Sequence, residues 1–457
     1  MFHLPESYDL AAFRGAKELG LAVGYYYDRP LIAISNGKDT ACCTVKEFKE
    51  IKNTVKRIYV WDSSRIIKQA NLKTIFDISL LYYQFLNVKN PTFNDLLGKF
   101  NQPLISNQYE NILKHVDNEM SVPYYISKNY LCSLAKASFR FGTEFKRKLS
   151  LKNYTFYWHL LNSKKTLLSL KKNKLQLNLN YYMQHIEKLE VHHQRTVNDI
   201  IKYSSYDKLE VEFNLLGTNT GRLSCKSKPN IHSLPNNIGI KRGIISSFKG
   251  GKILVADWNA MELRLALSIA GENIESTKDL HITTAKKLYN KANISKEERE
   301  KAKILNFAAI YGGPTSKHFS DISAIYPALG RTIESMTRDV SKARSYVNCF
   351  GRKRVFTVDE NCTTKAFNNL VQGTAADISL RALNLLQTEL EGQQLQSKIL
   401  LTVHDSFVLD VESNELTVVT ELIKNVMTEI CIPAIYSNME FPVNMYCGDN
   451  YEDLVRI

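Results

Sequence analysis

Composition and charge restrict what this chain can be. Its 457 residues are 44% apolar and 10% aromatic, which excludes an intrinsically disordered protein and suffices for several folded domains. Sixty Lys and Arg residues against 46 acidic residues give a formal net charge of +14, which suits nucleic acid or an anionic membrane surface as a partner.

Signals for export, membrane insertion and metal binding by cysteine are missing from the sequence. The first residues, MFHLPESYDLAAFRG, have neither a signal-peptide nor a transit-peptide pattern, and no apolar run reaches the roughly 18 residues of a membrane-spanning helix. The eight cysteines are scattered, with no zinc-type spacing. We therefore expect a soluble protein with reduced thiols, cytoplasmic and without a membrane partner.

The first 200 residues change texture once. Residues 1–110 alternate short apolar runs, such as LGLAVGYYY and PLIAIS, with polar helical stretches, which predicts an α/β domain. Residues 111–204 are helical and basic in pattern, and residues 140–174 hold ten Lys and Arg residues against the single acid Glu144, with aromatic residues interleaved. Such a segment is either a solvated helix face or a nucleic-acid contact.

The run GKILVADWNAMELRLALSIAG, residues 251–271, combines a strand with a helix. An apolar strand over 253–256 delivers Asp257 at its end, and the spacing then becomes helical. Asp257 is either the N-cap of that helix or a ligand-binding carboxylate beyond the sheet.

The run SKEEREKAKILNFAAIYGG, residues 295–313, predicts a helix that opens with a Ser295/Glu298 capping box and ends at two glycines. Two cations and two aromatic residues recur every fourth position and form one stripe: Arg299, Lys303, Phe307 and Tyr311. The stripe is either ordinary amphipathic packing or a site in which the cations hold a triphosphate and the rings stack on a base.

The run LLTVHDSFVLDV, residues 400–411, places His404 and Asp405 between two apolar strands. A buried carboxylate without a partner is costly, so Asp405 needs a ligand. Together with Asp257 it forms a pair of strand-borne carboxylates, and such oxygen ligands suit Mg²⁺ with substrate phosphates completing the coordination.

Five runs in fixed order resemble the polymerase core of family A DNA polymerases, the bacterial polymerase I type. They are TNTGRLS (218–224), DWNAMELR (257–264), REKAKILNFAAIYG (299–312), NNLVQGTAADI (368–378) and VHDSF (403–407). The chain end, YCGDNYEDL, is similar to the tail of these enzymes. The resemblance implies a template-directed DNA polymerase that uses primer-template DNA and dNTPs.

For the catalytic centre, the resemblance implies two Mg²⁺ ions, with Mn²⁺ as an alternative, held by Asp257, Asp405 and the backbone carbonyl of Trp258. Arg299 and Lys303 would grip the triphosphate, and Lys303 would protonate the leaving group.

For the substrates, the resemblance implies that Phe307 contacts the incoming sugar, that Tyr311 abuts the templating base and that Glu262 packs where a ribose 2′-hydroxyl would lie. The implied primer-template residues are Arg222, Gln372, His404 and Asn368. Arg222 and Gln372 would read the minor-groove acceptors that every correct base pair presents.

Three positions depart from the family pattern. Ser406 replaces the usual Glu after His-Asp, Ala308 replaces a Gly, and Trp258 replaces a Tyr. The HDSF sequence is what single-subunit, phage-type RNA polymerases carry, which makes an rNTP-using enzyme the alternative. The ELR and QGTAADI runs, which those enzymes lack, favour deoxynucleotides. A catalytically inactive DNA-binding relative is the non-enzyme alternative.

The segment 57–86 weakly resembles the 3′–5′ proofreading domain that precedes many family A polymerases. That nuclease needs a strand-borne Asp-x-Glu, yet the only such triplet before residue 120, at 117–119, falls in a helical pattern. Asp62 and Asp77 are isolated carboxylates. We therefore predict a degenerate exonuclease-like fold without catalysis.

The resemblance implies an α/β (α+β multidomain) right-hand polymerase with an antiparallel palm sheet. The predicted parts are the exonuclease-like domain (1–110), a basic thumb region (111–204), palm (205–275), helical fingers (276–365) and second palm part (366–457). Only about 27 residues separate a thumb-entry helix pattern at 174–190 from TNTGRLS. The thumb is therefore predicted to be reduced, which leaves a role for a processivity factor. The compact chain is typical of a phage or plasmid polymerase.

Overall fold

The computed structural model describes residues 10–26, 29–66, 74–100, 124–272 and 279–457. The chain divides into two compact units, Met1–Leu161 and Asn162–Ile457. No helix among the described residues has the length and apolar content needed to cross a bilayer. The mixed α/β class predicted from the sequence is confirmed.

The first unit is built on a five-stranded mixed sheet. In spatial order the strands are β3, β2, β1, β4 and β5, with the first three antiparallel and the last three parallel. Their bounds are β1 Glu18–Tyr26, β2 Arg29–Ser35, β3 Thr40–Cys43, β4 Arg57–Val60 and β5 Ile75–Asp77.

The helices of this unit are α1 Val45–Ile51, α2 Ile78–Leu86, α3 Phe93–Lys99, α4 Tyr124–Lys148 and the first part of α5 Leu151–Leu170. Alternate residues of β1 face opposite sides of the sheet, as the strand repeat of two requires. Leu19 and Leu21 pack into one apolar cluster and Ala22 into another with Leu131 and Ala135 of α4. The backbone of α4 approaches β1 so closely that a Cβ at Gly20 would overlap the Ala135 carbonyl.

The second unit is centred on an antiparallel sheet in the order β14, β15, β11, β16 and β17. The strands are β11 Lys252–Trp258, β14 Lys398–Val403, β15 Ser406–Val411, β16 Val443–Gly448 and β17 Val455–Arg456. The central strand β11 extends one residue past Asp257, further than the sequence indicated, because Asp257 and Trp258 pair with β16.

Short strands and helices complete the second unit. The other strands are β6 Leu175–Leu177, β7 Lys208–Leu209, β8 Phe213–Asn214, β9 Ser224–Cys225, β10 Ile244–Ile245, β12 Ser345–Val347 and β13 Lys353–Val355. The helices are α6 Leu179–His185, α7 Val191–Tyr203, α8 Met261–Ala270, α9 Leu280–Tyr289, α10 Lys296–Gly312, α11 Phe319–Ile325, α12 Pro327–Ala343, α13 Cys362–Gly392 and α14 Leu416–Asn425.

Candidate active site

Two carboxylates lie next to each other at the central sheet, one on a strand and one in the adjacent turn. Asp257 on β11 pairs in register with Ser406, the first residue of β15, and Asp405 immediately precedes it in the β14–β15 turn. The backbone N–H of Trp258 donates to the Asp405 carbonyl at 3.5 Å. His404 makes this tight turn with φ of 57°, in the left-handed region. The strand pairing and the turn thus place Asp257 and Asp405 next to each other, although they are 148 positions apart in the sequence.

The environment of this pair disfavours two negative charges. Burial, and then the nearby Asp405, raise the pKa of Asp257 to about 7. Burial also raises the pKa of Asp405, against the opposing effects of Arg222 and His404. Two repelling, poorly solvated carboxylates are stabilised by a divalent cation, and a donor set of oxygen atoms alone suits Mg²⁺ or Mn²⁺. The residues present therefore fit the predicted metal site.

The structure excludes one sequence alternative for Asp257. The helix α8 begins at Met261 with Ala260 at the N-cap position, so Asp257 is not its N-cap. Trp258 is 2% exposed, and its indole N–H donates to the Met427 carbonyl at 2.9 Å, which anchors the strand end in the core.

The cation-bearing helix α10 has the predicted capping box between Ser295 and Glu298. Arg299 forms ion pairs with Asp279 at 2.9 Å and with Glu300 at 2.8 Å, whereas the Lys303 ammonium lies 4.0 Å from Glu300. Lys303 is therefore the more available of the two predicted phosphate-binding cations.

The two aromatic residues of the stripe stack on one another. The Phe307 and Tyr311 ring centroids are 5.5 Å apart with an interplanar angle of 27°. Tyr311 is 38% exposed, so part of this aromatic face is open to a ligand.

Glu262 connects three of the predicted site residues. Its carboxylate accepts a hydrogen bond from the Tyr311 hydroxyl at 2.6 Å and forms an ion pair with Arg222. Gln372 on α13 also hydrogen-bonds the Tyr311 hydroxyl. Burial and the Glu262 hydrogen bond raise the pKa of Tyr311, so its hydroxyl stays protonated and donates. These four residues come from four separate sequence runs and form one cluster.

A buried polar network on α9 and α10 was missed in the sequence. His281 is 4% exposed, its Nδ1 accepts a hydrogen bond from the Asn306 side-chain amide at 3.1 Å, and its ring centroid lies 5.9 Å from that of Phe307. Thr284 bonds both Asn306 and the Tyr326 hydroxyl. Burial lowers the pKa of His281 to about 4, so the ring is neutral. The only sequence signal is the Asp279 N-cap two residues before His281.

A cavity of about 260 Å³ lies beside His404. His232 lines it and bonds the Thr402 carbonyl at 2.9 Å, and its ring is 6.0 Å from that of His404. The other lining residues are Thr218, Gly221, Arg222, Leu223, Ser224, Cys225, Asn230, Ala376, Ser379, Leu380, Leu383 and Thr402. The TNTGRLS and VHDSF runs therefore share one cleft, and the sequence did not predict His232.

Two further positions of the predicted motifs are Asn368 and Ser406. Asn368 lies on α13, and its buried side-chain oxygen has no hydrogen-bond partner among the described residues. Ser406, which stands where the family has Glu, donates to the Val403 carbonyl at 2.8 Å and closes the turn.

The two isolated carboxylates of the first unit have structural partners. Asp77 is fully buried and accepts hydrogen bonds from Ser63, Ser79 and Leu80 at the start of α2. Asp62 accepts from the Ser64 amide at 2.8 Å. In the described part of this unit, no three His, Cys or acidic side chains converge as metal ligands. The 117–119 triplet lies outside the described residues.

The basic segment 140–174 covers the end of α4 and all of α5, and it ends one residue before β6. Seven of its ten cations are exposed: Arg140, Arg147, Lys148, Lys152, Lys165, Lys172 and Lys174. The other three are half-buried, and of these Lys146 pairs with Glu18 and Lys171 with Glu212.

A family model and the similar known proteins all point to DNA polymerases of one family. The family described as DNA polymerase family A matches residues 144–453. DNA polymerase I of Chloroflexus aurantiacus is 27% identical over 281 residues, covering 54% of this chain and 29% of that protein. The thermostable DNA polymerase I of Thermus filiformis is 30% identical over 252 residues, covering 48% of this chain and 30% of that protein. The chain thus spans less than a third of the length of these relatives.

The fold is similar to that of solved structures. One of them is the POL domain of Pol1 from M. smegmatis in complex with a DNA primer-template and dNTP. The two share 14% identity with a TM-score of 0.79, and the match covers 96% of this chain and 97% of that one.

Proposed function

Because this chain belongs to DNA polymerase family A, we propose that it is a template-directed DNA polymerase that adds dNTPs to a primer 3′-hydroxyl. The palm would comprise residues 205–275 and 366–457, the fingers 276–365, the thumb 111–204 and the exonuclease-like domain 1–110.

The observation that carries this proposal is the position of Asp257 on β11 beside Asp405, which lies in the turn that leads into the paired strand β15. Their carboxylates belong to the same unit as the cation-bearing helix α10 and the Glu262 cluster. A phosphoryl transferase needs this combination, because it must hold metal, phosphates and a sugar at one reacting centre.

Asp257, Asp405 and the Trp258 carbonyl would hold two Mg²⁺ ions. When bound, the ions lower the pKa of the primer hydroxyl and neutralise the charge that develops on the phosphates. The protein's contribution is orientation, because both aspartates are fixed by β-ladder pairing and a tight turn.

The helix α10 would receive the incoming nucleotide. Arg299 and Lys303 bind the triphosphate as charge-assisted donors, and Lys303 supplies a proton to the leaving pyrophosphate oxygen. Arg299 would exchange its Glu300 contact for phosphate while Asp279 continues to orient it. The open face of Tyr311 meets the templating base, and Phe307 meets the sugar.

Sugar choice supports DNA synthesis over the RNA-synthesising alternative. Glu262 is held by both Tyr311 and Arg222, so its side chain cannot swing away to admit a 2′-hydroxyl without losing two interactions. The inactive alternative is disfavoured because every predicted catalytic residue is present.

We also propose that residues 1–110 do not proofread. Asp62 and Asp77 are engaged as local hydrogen-bond acceptors, as expected of structural residues. The short thumb would contact DNA weakly, the exposed cations of 140–174 would add phosphate contacts, and a processivity factor would supply further grip. A cytoplasmic location is part of the same proposal.

The test is extension of a primed template of known sequence with dNTPs or rNTPs, with products resolved by length. We expect template-directed dNTP addition with Mg²⁺ or Mn²⁺, lost with chelator and in Asp405→Asn. Equal extension with rNTPs would favour the RNA-synthesising alternative. Absence of extension with either ion would refute the proposal, provided that the protein binds the template.

A further inference from the structure

A buried arginine packs against two glycines, each of which is next to a residue predicted to read the minor groove. Arg352, in the β12–β13 hairpin, is 2% exposed and forms a bidentate ion pair with fully buried Asp377 of α13, at 2.9 and 2.7 Å. Asn348 also donates to Asp377 at 2.7 Å and accepts from the Arg352 amide at 2.9 Å. The guanidinium therefore has one fixed orientation.

This guanidinium packs directly on the glycine next to Arg222. Gly221 has φ of 80°, and a Cβ built there would overlap the Arg352 guanidinium. The turn that carries Arg222 thus rests on Arg352 with no space for a methyl group. A residue with a side chain at 221 would displace either the turn or the ion pair.

The same arginine also packs beside the glycine next to Gln372. A Cβ at Gly373 would lie 3.4 Å from the Thr220 carbonyl and 3.6 Å from Cδ of Arg352. The 218–224 turn and α13 therefore meet at two glycines, with Arg352 between them. Each of these glycines is the direct neighbour of one predicted minor-groove reader.

We propose that Arg352, locked by Asp377, is a positioning residue that sets the separation of Arg222 and Gln372 and so sets the enzyme's discrimination between matched and mismatched primer termini. This inference rests on the proposed function. Both readers address acceptors that only a correctly shaped pair presents together, so their spacing determines what they accept. Arg352 itself is buried and acts through its neighbours.

The variant is Arg352→Lys, which keeps the charge but loses the two-pronged geometry. We expect kcat/KM for extending a matched terminus to fall about tenfold, the kinetic equivalent of one misaligned charge-assisted hydrogen bond. Extension of a mismatched terminus should change less than about twofold, because there the readers are already misaligned. Gly221→Ala should reproduce this pattern by pushing on the same guanidinium.

The matched control is Arg354→Lys. Arg354 lies in the same hairpin, is 3% exposed and pairs with Glu360, whereas the three atoms nearest to a Cβ at Gly221 or at Gly373 include none of Arg354. It should lower thermal stability without changing the matched-to-mismatched ratio. If Arg352→Lys lowered extension of matched and mismatched termini equally, so that their ratio stayed unchanged as in the control, the ion pair would serve only stability and the proposal would be overturned.

A probe with 3-deazaguanine at the primer terminus isolates the minor-groove contact, since it lacks the N3 acceptor. This base should lower kcat/KM of the wild type about tenfold. It should lower kcat/KM of Arg352→Lys by less than about twofold, because the contact is already lost in the variant. Equal costs in both proteins would refute the coupling.

Equilibrium binding of primer-template with guanine or 3-deazaguanine at the terminus, measured for the wild type and the variants, separates the proposed polymerase activity from the proposed positioning role of Arg352. A wild type that binds matched DNA better than 3-deazaguanine DNA but does not extend it refutes polymerase activity alone. Identical binding differences in wild type, Arg352→Lys and Gly221→Ala refute the positioning role alone. If Arg352→Lys does not fold, Asp377→Asn replaces it as a variant that weakens the same ion pair.

Discussion

Replacing Glu262 by Ala tests sugar selection most directly. The Glu262 side chain is 8% exposed and is held by the Tyr311 hydroxyl at 2.6 Å and by the Arg222 guanidinium. A ribose 2′-hydroxyl at this position would have to displace it. Each hydrogen bond to a charged group contributes about 1.5–3 kcal/mol, so displacement is opposed by about 3–6 kcal/mol. Since about 1.4 kcal/mol is tenfold in rate, Glu262→Ala should relax discrimination against ribonucleotides by at least about 100-fold.

The assay compares kcat/KM for a dNTP and the rNTP of the same base in single-nucleotide primer extension. Glu262→Gln is the matched control, because it keeps the volume and an acceptor for Tyr311. We expect Glu262→Gln to retain most of the discrimination. An unchanged dNTP/rNTP ratio in Glu262→Ala would remove Glu262 from the sugar pocket. If Glu262→Gln were as permissive as Glu262→Ala, charge and not volume would set the choice.

Asp257→Ala and Asp405→Ala should each abolish extension with primer-template affinity nearly unchanged, because each would remove a proposed metal ligand. Ser406→Ala, which loses one turn hydrogen bond, should retain activity, and equal damage there would contradict the ligand assignment. Phe307→Tyr should raise dideoxynucleotide acceptance, measured as chain termination against dNTP, because a phenolic hydroxyl can replace the missing 3′-hydroxyl as a hydrogen-bonding partner; an unchanged ratio would move Phe307 away from the sugar. A mismatched 3′ terminus incubated with Mg²⁺ and no dNTPs should remain intact. If the wild type removed the mismatched nucleotide and an equally stable Asp77→Asn variant did not, the first unit would be a working nuclease. Under a heparin trap, products should be short and shorten further with salt, as expected for binding by phosphate contacts; kilobase products at the higher salt would mean that the reduced thumb has been replaced.

Local signals in the sequence predicted local structure well. The Ser295/Glu298 box marks the start of α10 because the two side chains satisfy each other's backbone donors over three residues. The apolar run before Asp257 identifies β11, and each end of the strand lies one residue further out, since pairing with β15 starts at Lys252 and pairing with β16 reaches Trp258. Such features depend on neighbours in sequence, which a pattern contains.

Contacts between residues that are distant in the sequence could not be predicted from such local patterns. Glu262 was selected from a motif, but its ion pair with Arg222 joins residues 40 positions apart, and nothing in the spacing specifies it. His281 is a single histidine whose partner Asn306 lies on another helix. The Arg352–Asp377 pair is equally invisible, because one Arg and one Asp among many carry no periodic signal. The reduced thumb and the extent of residues 1–110 remain predictions.

The central place of β11 has a consequence for how this protein would lose its proposed activity on heating. The strand is bonded on both sides, to β15 and to β16, and its interior residues Ile253, Leu254 and Ala256 are fully buried. Amide hydrogens in such a strand exchange with solvent only in the largest opening events of a domain. The segment that carries Asp257 therefore belongs to the last part of the sheet to open. Inactivation through displacement of Asp257 would coincide with cooperative melting of the whole unit and would not precede it by local fraying.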